Sequence, residues 1–193
     1  MSSINLTHYK KMTQLLKTPS ALFRLNVPLK MSCLDPRKGG DRDSKTLLKL
    51  LFEGLTCFDK QGKVALALAK SCALSEDQTH YSIILKKPYW SNGDPVIASD
   101  FEYSWKTALA PDFPIDFPAL FYVIKHAEKA KRGECSLNDV GIQAKNPRTL
   151  LITLNHHVPD FLERLAHPLF LPIPSSLAKN TSDWVGDIVK CCV

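Results

Sequence analysis

Long apolar runs are missing from this sequence of 193 residues. No stretch approaches the ~20 consecutive apolar residues that a membrane-spanning helix needs. Residues 1–20 contain Lys10, Lys11 and Lys17 but no apolar core of the ~7–15 residues that a signal peptide requires. The sequence therefore predicts neither a membrane span nor an export signal.

Motifs of enzymes and metal sites are missing as well. Gly39 and Gly40 do not have the spacing of a phosphate-binding loop, and no GxSxG nucleophile elbow is present. His156 and His157 are neighbours, and neighbouring side chains of a strand point to opposite faces, so the two cannot share one metal ion. We therefore expect no catalytic residue, no metal site and no cofactor, and we predict that the protein is not an enzyme.

Paired cysteines are also lacking. The six cysteines include no CxxC pair and no Cys/His spacing of a zinc site. Cys191 and Cys192 are adjacent, which makes a disulfide between them difficult to form. Free and mostly buried thiols are expected, and a disulfide framework is not.

The basic residues are not concentrated in one place, although the formal net charge is +6 and the pI is near 9.0. Nucleic-acid binding proteins cluster lysine and arginine to neutralise phosphates. Here the densest group, Lys125 to Arg132, is interrupted by Glu128. A solvated helix face explains this pattern better than a nucleic-acid site.

Apolar spacing predicts several helices. A leucine stripe indicates one helix with its N-cap at Asp43 or Ser44 and its end near Gly54. Ser99 and Glu102 fit a capping box, which predicts a second helix with its aromatic residues inward. Further helices are expected over Leu120–Arg132 and, with Pro159 at the first helical position, over Asp160–Ala166.

Strands are predicted between turn-rich segments. Alternation places Tyr81, Ile83 and Leu85 on one face of a strand. The predicted strands are Leu25–Leu29, Thr79–Leu85, Val140–Ala144 and Thr149–Leu154, and the predicted turns are Asp59–Gly62, Ser75–Gln78, Trp90–Pro95 and Asn146–Arg148. Helices and strands mix without regular βαβ alternation, so the fold class is mixed α/β, in the sense of α+β.

Aromatic residues lie within a proline-rich stretch near the middle of the chain. Its rings are Phe113, Phe117, Phe121 and Tyr122. Prolines stiffen the backbone, so such a loop can present a ring to a ligand at a small entropic cost. Packing in the core is the alternative, and it is the commoner role of large rings.

The segment from Thr79 to Trp105 carries a specific motif. Its matching residues are Trp90-Ser91-Asn92-Gly93, Pro95-Val96, Ala98, Asp100-Phe101 and Tyr103-Ser104-Trp105. This pattern resembles the signature of the family 5 extracellular solute-binding proteins of peptide and nickel ABC transporters, especially the oligopeptide-binding ones. The family has Asp where this chain has Asn92, which also suits the turn. Similar blocks elsewhere extend the resemblance over residues 22–189.

The resemblance implies the N-terminal portion of a class II periplasmic-binding-protein fold. Such proteins have two lobes that close over a peptide and deliver it to ABC permease subunits in the inner membrane, which places the protein in the periplasm or cell envelope. The implied division is an extension at 1–21, the start of the first lobe at 22–46, a small second lobe at 47–168, and a truncated return to the first lobe at 169–193.

The resemblance also implies a peptide-binding site. A loop after Leu34-Asp35-Pro36 would offer backbone hydrogen bonds to the ligand, and an aromatic residue of the proline-rich stretch would face it. Glycine permits close backbone approach, which suits this role. The implied peptide-binding residues are Gly39, Gly40, Asp41, Arg42 and Phe117.

Two departures from the family pattern shape the expected function. The family continues after a block like residues 184–189, whereas this sequence reads Lys190-Cys191-Cys192-Val193. The family's third lobe, with its acidic partner for the peptide amino terminus, is therefore expected to be absent. The prediction is a truncated oligopeptide-binding component of an ABC importer with weak or no binding alone. The alternative is a non-enzymatic interaction fragment that assembles with a separate chain supplying the missing lobe.

Overall fold

A four-stranded antiparallel sheet organises the structure, a computed structural model that describes residues 33–179. Its strands are β3 (Ala69–Leu74), β4 (His80–Leu85), β5 (Ile142–Asn146) and β6 (Thr149–Thr153), in the spatial order β3-β4-β6-β5. A separate hairpin pairs β1 (Thr56–Phe58) with β2 (Val64–Leu66) around the predicted turn at 59–62. The predicted strand Leu25–Leu29 lies outside the described residues.

The inward face of the sheet is the one that alternation predicts. Tyr81, Ile83 and Leu85 of β4 are all buried, and they lie beside the buried Leu150 and Ile152 of β6. The turns that lead into β4 and that connect β5 to β6 are also confirmed. Period-two patterning fixes the face because a shift of one residue would expose the apolar set.

Helix α1 (Arg42–Leu51) begins two or three residues earlier than predicted. Its N-cap is Asp41, whose carboxylate accepts the Ser44 backbone N–H at 2.7 Å, so the predicted caps at Asp43 and Ser44 are wrong. The helix ends at Leu51, because Phe52 adopts an extended backbone well before Gly54. An aspartate with extended backbone is a favourable cap, and it satisfies an otherwise unpaired amide.

Helix α2 (Ala98–Ala108) also starts differently from the prediction. Its N-cap is Ile97, and the Asp100 carboxylate accepts the Ile97 backbone N–H at 3.1 Å. Ser99 is therefore not the cap, and Glu102 does not complete a capping box with it. Glu102 instead accepts hydrogen bonds from Lys106 and from the Ala144 backbone N–H of β5. A tertiary partner competes successfully with the local capping bond.

The helix predicted over Leu120–Arg132 is broken. A 3₁₀ turn (Pro118–Phe121) is followed by an isolated bridge between Ile124 and Leu154, and only then by α3 (Ala127–Lys131). The Lys125 backbone N–H donates to the Thr153 carbonyl at 2.9 Å, so this stretch pairs with the sheet instead of with its own preceding turn. His126 has a φ of +60°, which also interrupts helical geometry.

The C-terminal part of the described chain contains short elements. Helix α4 (Phe161–Arg164) starts after Pro159, because the Phe161 backbone N–H closes a turn on the Val158 carbonyl at 3.1 Å. The prediction of Pro159 at the first helical position is therefore wrong. A 3₁₀ turn (Pro168–Phe170) and helix α5 (Ser175–Ala178) follow.

The hydrophobic core forms where α2 packs between the sheet and the segment 169–173. Its largest fully buried side chains are Trp105, Phe101, Phe121, Phe161 and Phe170. Hydrogen bonds of α2 hold the crossing segment: Trp105 Nε1 donates to the Phe170 carbonyl at 3.1 Å, and Ser104 Oγ donates to the Leu171 carbonyl at 2.9 Å. None of the helices within residues 33–179 has the length and apolar content needed to cross a bilayer.

Candidate functional site

Two segments that are far apart in the sequence meet at the candidate site. The Asp116 backbone N–H donates to the Lys38 carbonyl at 3.0 Å, and the Gly40 backbone N–H donates to Asp116 Oδ2 at 2.9 Å. Asp116 immediately precedes Phe117, so these two bonds bring the predicted aromatic residue next to the predicted glycine loop. We call residues 38–42 together with 116–117 the junction site.

A rigid turn precedes the glycine loop. Arg37 and Asp35 form a buried ion pair in which Arg37 Nη2 lies 2.7 Å from Asp35 Oδ2, and the same carboxylate accepts the Arg37 backbone N–H. The Arg37 guanidinium also stacks over the Phe113 ring, 4.9 Å from its centroid. These contacts tie the turn to the proline-rich loop and fix where the glycines begin.

Gly39 and Gly40 are required by their backbone. Their φ angles are +99° and +106°, a region that L side chains rarely adopt. A Cβ on Gly39 would lie 2.8 Å from Asp116 Oδ2, so any other residue there would displace the carboxylate that accepts the Gly40 backbone N–H. Gly39 is buried and Gly40 half-buried, which places the exposed edge of the loop at Gly40 and beyond.

Asp41 and Arg42 lead from the loop into α1. The Asp41 carboxylate serves as the helix cap, and the backbone carbonyl of Asp41 accepts the Lys45 backbone N–H at 3.0 Å. Arg42 is exposed at the first position of the helix. The cap therefore fixes the start of α1 directly after the glycine loop.

Phe117 is the exposed ring of the proline-rich stretch. Its side chain keeps 51% of its surface accessible, whereas Phe121 is fully buried and Phe113 is half-buried under Arg37. Phe121 therefore packs in the core, whereas Phe117 does not. Lys45 Nζ lies over the Phe117 ring, 4.8 Å from its centroid, so α1 and the ring form one surface.

Lys131 supports the loop that carries Phe117. Its ammonium donates hydrogen bonds of 2.7 Å to the carbonyls of both Ala110 and Phe113, and a longer one of 3.4 Å to Ala108. Partial burial lowers the pKa of Lys131, and the nearby Asp112 opposes that shift. The three carbonyls lie at the end of α2 and the start of the loop, so Lys131 anchors the base of the loop.

His167 lies beside the basic face of α1. Its Nδ1 accepts the Leu169 backbone N–H at 3.2 Å, so that nitrogen carries no proton. Burial, with the positive charges of Lys45 and Lys49, lowers the pKa of His167 to about 4. The histidine is therefore neutral at physiological pH, and α1 presents a positive field on this side.

The four cysteines in the described part of the chain are free thiols. Cys33, Cys72 and Cys135 are free and half-buried, and Cys57 is free and exposed, so the expectation of mostly buried thiols overstated their burial. Within residues 33–179 no three His, Cys, Asp or Glu side chains could hold a metal ion together. The buried Asp100 accepts bonds from Trp90 Nε1 and Ser175, which is a structural role.

Three features in or beside the junction site were not predicted from the sequence: Asp116, Lys45 and the Arg37–Asp35 pair. Asp116 has no local motif, because its partner is 76 residues away. Its position directly before Phe117 was the one available signal. Nothing in the sequence distinguishes Lys45 from the other positions of α1, because its role depends on the contact with Phe117.

The sequence of this chain is similar to the sequences of known solute-binding proteins. Residues 63–188 match the model of the bacterial extracellular solute-binding proteins, family 5, middle region. The chain is 35% identical over 161 residues to the oligopeptide-binding protein OppA of Bacillus subtilis (strain 168), which covers 83% of this chain and 30% of that protein.

Solved structures of oligopeptide-binding proteins share the fold of this chain. The substrate-binding domain of an oligopeptide ABC transporter from Bacillus anthracis str. Ames matches with a TM-score of 0.76 and 34% identity, over 78% of this chain and 29% of that one. OppA of Listeria monocytogenes bound to peptide matches with a TM-score of 0.74 and 32% identity, over 76% and 29%. The fold is thus part of the periplasmic-binding-protein fold of OppA-type proteins, as predicted.

The chain spans about 30% of the length of the relatives that it matches. The members of the family are solute-binding proteins and not enzymes, which agrees with the prediction at the level of the family. The family model covers most of the chain, and the relatives share both sequence and fold with it. This chain belongs to the bacterial extracellular solute-binding proteins of family 5.

Proposed function

We propose that this chain supplies one peptide-contacting lobe of an oligopeptide-binding component of an ABC importer. The observation that carries the proposal is the junction site, where a glycine loop and an exposed aromatic ring, 75 or more residues apart in the sequence, are hydrogen-bonded into one solvent-facing surface. Relatives whose names state oligopeptide or dipeptide binding make a peptide the natural ligand of that surface.

The proposed binding mode uses main-chain groups for affinity and the ring for apolar contact. The carbonyl of Gly40 makes no hydrogen bond with any residue between 33 and 179. Such a carbonyl can accept a peptide N–H in the manner of an added strand, independent of the ligand's side chains. Phe117 would then pack against a ligand side chain, since half of its surface is exposed.

The lobe division is part of the proposal. Residues 47–168 would form the small lobe, 22–46 and 169–193 would belong to the first lobe, and 1–21 would be an extension. The continuous core from Leu48 to Ile173 supports a unit of this size. Leu169, Phe170, Leu171 and Ile173 are buried in the same core, and the Leu171 carbonyl accepts a hydrogen bond from Ser104 Oγ.

The proposed partners follow from the family. The ligand is an oligopeptide, the downstream partners are ABC permease subunits in the inner membrane, and the compartment is the periplasm or cell envelope. Binding by this polypeptide alone is proposed to be weak, because Phe117 and the loop face solvent and water competes for every hydrogen bond there. A separate chain that covers the junction site would strengthen binding, which is how the alternative assembly would act.

The test is a titration of the full 193-residue chain with a mixture of tri- to pentapeptides, followed by amide chemical shifts in nuclear magnetic resonance. We expect shifts at residues 39–42 and 117, with a Kd of about 100 μM or weaker. Isothermal titration of the same samples provides an independent affinity. Submicromolar binding would contradict the proposed weakness, and the absence of any peptide-dependent shift would contradict the proposed site.

A matched pair of variants separates contact from stability. Phe117→Ala removes the exposed ring at the junction site, and Phe58→Ala removes a ring of similar exposure, 50%, on β1. We expect Phe117→Ala to weaken peptide binding about fivefold, since a half-exposed aromatic contact contributes about 1 kcal/mol. Phe58→Ala should leave binding unchanged. Equal effects of the two variants would show that Phe117 does not touch the ligand.

A further inference from the structure

We propose that Lys45, seated over Phe117, forms a subsite for a carboxylate of the bound peptide. This inference rests on the proposed function, and it adds a ligand preference: peptides that place an acidic side chain or a free carboxyl terminus at this point bind better than neutral ones. It is supported by the charge pattern of α1, by the position of the Lys45 ammonium over Phe117, and by the absence of an ion pair to Lys45 within residues 33–179.

The basic residues of α1 share one face. Arg42, Lys45 and Lys49 are spaced by three and four positions, which places them on neighbouring turns of the same side of a helix. Arg42 and Lys49 are exposed and Lys45 is half-buried. Lys38, at the start of the glycine loop, is exposed as well. The junction site is therefore bordered by cations along one side.

No carboxylate of the described chain forms an ion pair with these cations. The ion pairs within residues 33–179 include neither Arg42 nor Lys45. Two acidic side chains of this region, Asp41 and Asp116, already accept backbone hydrogen bonds, from Ser44 and Gly40 respectively. The lysine field is strong enough on this side to help keep His167 neutral.

The contact between Lys45 and Phe117 gives the Lys45 ammonium a defined position. The ammonium is 4.8 Å from the Phe117 centroid, so the contact with the ring restrains it over Phe117 instead of leaving it to rotate in water. A peptide that packs on Phe117 would cover this ammonium and remove water from it. An unpaired buried charge is costly, whereas a carboxylate that accepts a bond from Nζ restores the lost interaction.

Three peptides test the preference on the full chain by amide chemical-shift titration: Ala-Glu-Ala-amide, Ala-Gln-Ala-amide, and Ala-Gln-Ala with a free carboxyl terminus. The first and second differ in a side-chain carboxylate, and the second and third in the terminal one. We expect at least one of the two carboxylate peptides to bind about fivefold more tightly than Ala-Gln-Ala-amide in low salt. The advantage should shrink in 0.5 M NaCl, because salt screens the attraction.

Variants assign the effect to Lys45. Lys45→Gln should reduce the carboxylate advantage to less than twofold, and Lys45→Arg should keep it, since the positive charge is retained. Lys63→Gln removes an exposed charge on the β1–β2 hairpin and serves as the charge-matched control that should change nothing. Circular dichroism of each variant confirms that it is folded.

The outcomes distinguish this inference from the proposed function. If all three peptides shift residues 39–42 with the same Kd, the junction site binds peptides and the carboxylate subsite is wrong. If the advantage survives Lys45→Gln, the carboxylate preference does not come from Lys45 and the inference is overturned. If no peptide produces a shift, the proposed function and the inference fail together.

Discussion

Gly40 and Asp116 are joined by a hydrogen bond of 2.9 Å between the glycine amide and the Asp116 carboxylate, although they are 76 residues apart in the sequence. The bond closes the glycine loop onto the proline-rich loop and leaves Phe117 exposed beside it. The conformation of the candidate site therefore depends on a contact between two loops that are distant in the sequence.

Removal of this bond should loosen the loop without unfolding the protein. In Asp116→Ala we expect hydrogen exchange of the Gly40 amide to accelerate about fivefold, because one exposed hydrogen bond contributes about 1 kcal/mol. Exchange is measured by nuclear magnetic resonance, and overall stability by urea denaturation should change by no more than about 1 kcal/mol. Glu76→Ala, which removes an exposed acidic group in the turn before β4, is the control. Unchanged exchange in Asp116→Ala would contradict the role of the bond.

The Asp100 carboxylate should be essential for stability. One oxygen accepts from Trp90 Nε1 and the Ile97 backbone N–H, and the other accepts from both the N–H and the hydroxyl of Ser175. In Asp100→Asn the amide NH₂ must face one of these donor pairs, which leaves buried donors without an acceptor. We expect a loss of about 2–4 kcal/mol in urea denaturation.

The control for Asp100 is Asp94→Asn. Asp94 is exposed, and its carboxylate accepts a local bond from Asn92 at 2.8 Å. We expect this variant to lose less than about 1 kcal/mol. A similar loss in the two variants would show that the four-donor arrangement around Asp100 contributes little.

Lys131 should control the order of the proline-rich loop. Lys131→Met keeps the apolar stem but leaves the carbonyls of Ala110 and Phe113 without their donor. We expect a loss of about 1–3 kcal/mol and faster hydrogen exchange over residues 110–117, as measured by mass spectrometry. Lys129→Met changes an exposed lysine of the same helix and should alter neither quantity. Protection of the loop that survives Lys131→Met would rule out this anchor.

His167 should make stability depend on pH. Its folded-state pKa is about 4, below the ~6.5 of an unfolded histidine, so the unfolded state takes up the extra proton. The contribution is complete above about pH 6.5 and is lost as the pH falls toward 4. We expect His167 to account for about 1–2 kcal/mol of the decrease in stability between pH 7 and pH 4.5.

The measurement compares urea denaturation at both pH values with the variant His167→Asn, whose amide oxygen can still accept the Leu169 backbone N–H. The variant should show a smaller decrease in stability on acidification. His157→Asn replaces an exposed histidine and should keep the decrease of the original protein. A parallel decrease in all three proteins would contradict the assigned pKa.

Local signals in the sequence were sufficient for much of the fold. Alternation identified the buried face of β4, and glycine and aspartate located the β1–β2 turn at 59–62. The spacing of Phe101 and Trp105 placed both inside, as the structure confirms. These features depend on residues two to four positions apart, whose geometry is set by the backbone period itself.

Tertiary partners decided the features that local signals missed. The break in the helix predicted over 120–132 arises because the Lys125 backbone N–H donates a hydrogen bond to the Thr153 carbonyl of the sheet. No sequence pattern near Lys125 predicts that partner. Glu102 likewise accepts a hydrogen bond from the Ala144 backbone N–H of β5 instead of forming the predicted capping box with Ser99. In both cases a hydrogen bond to a distant strand replaces a local one of similar strength, and the overall packing selects between them.

The sequence by itself determined which residues of the candidate site exist and what chemistry they have: two glycines able to adopt positive φ, an aspartate and an arginine after them, and a ring among prolines. Only the tertiary structure decided that they form one site, because the loop and the ring are separated by a length of chain that no periodicity spans. A few hydrogen bonds through Asp116, supported by Lys131 and the Arg37–Asp35 pair, bring them together.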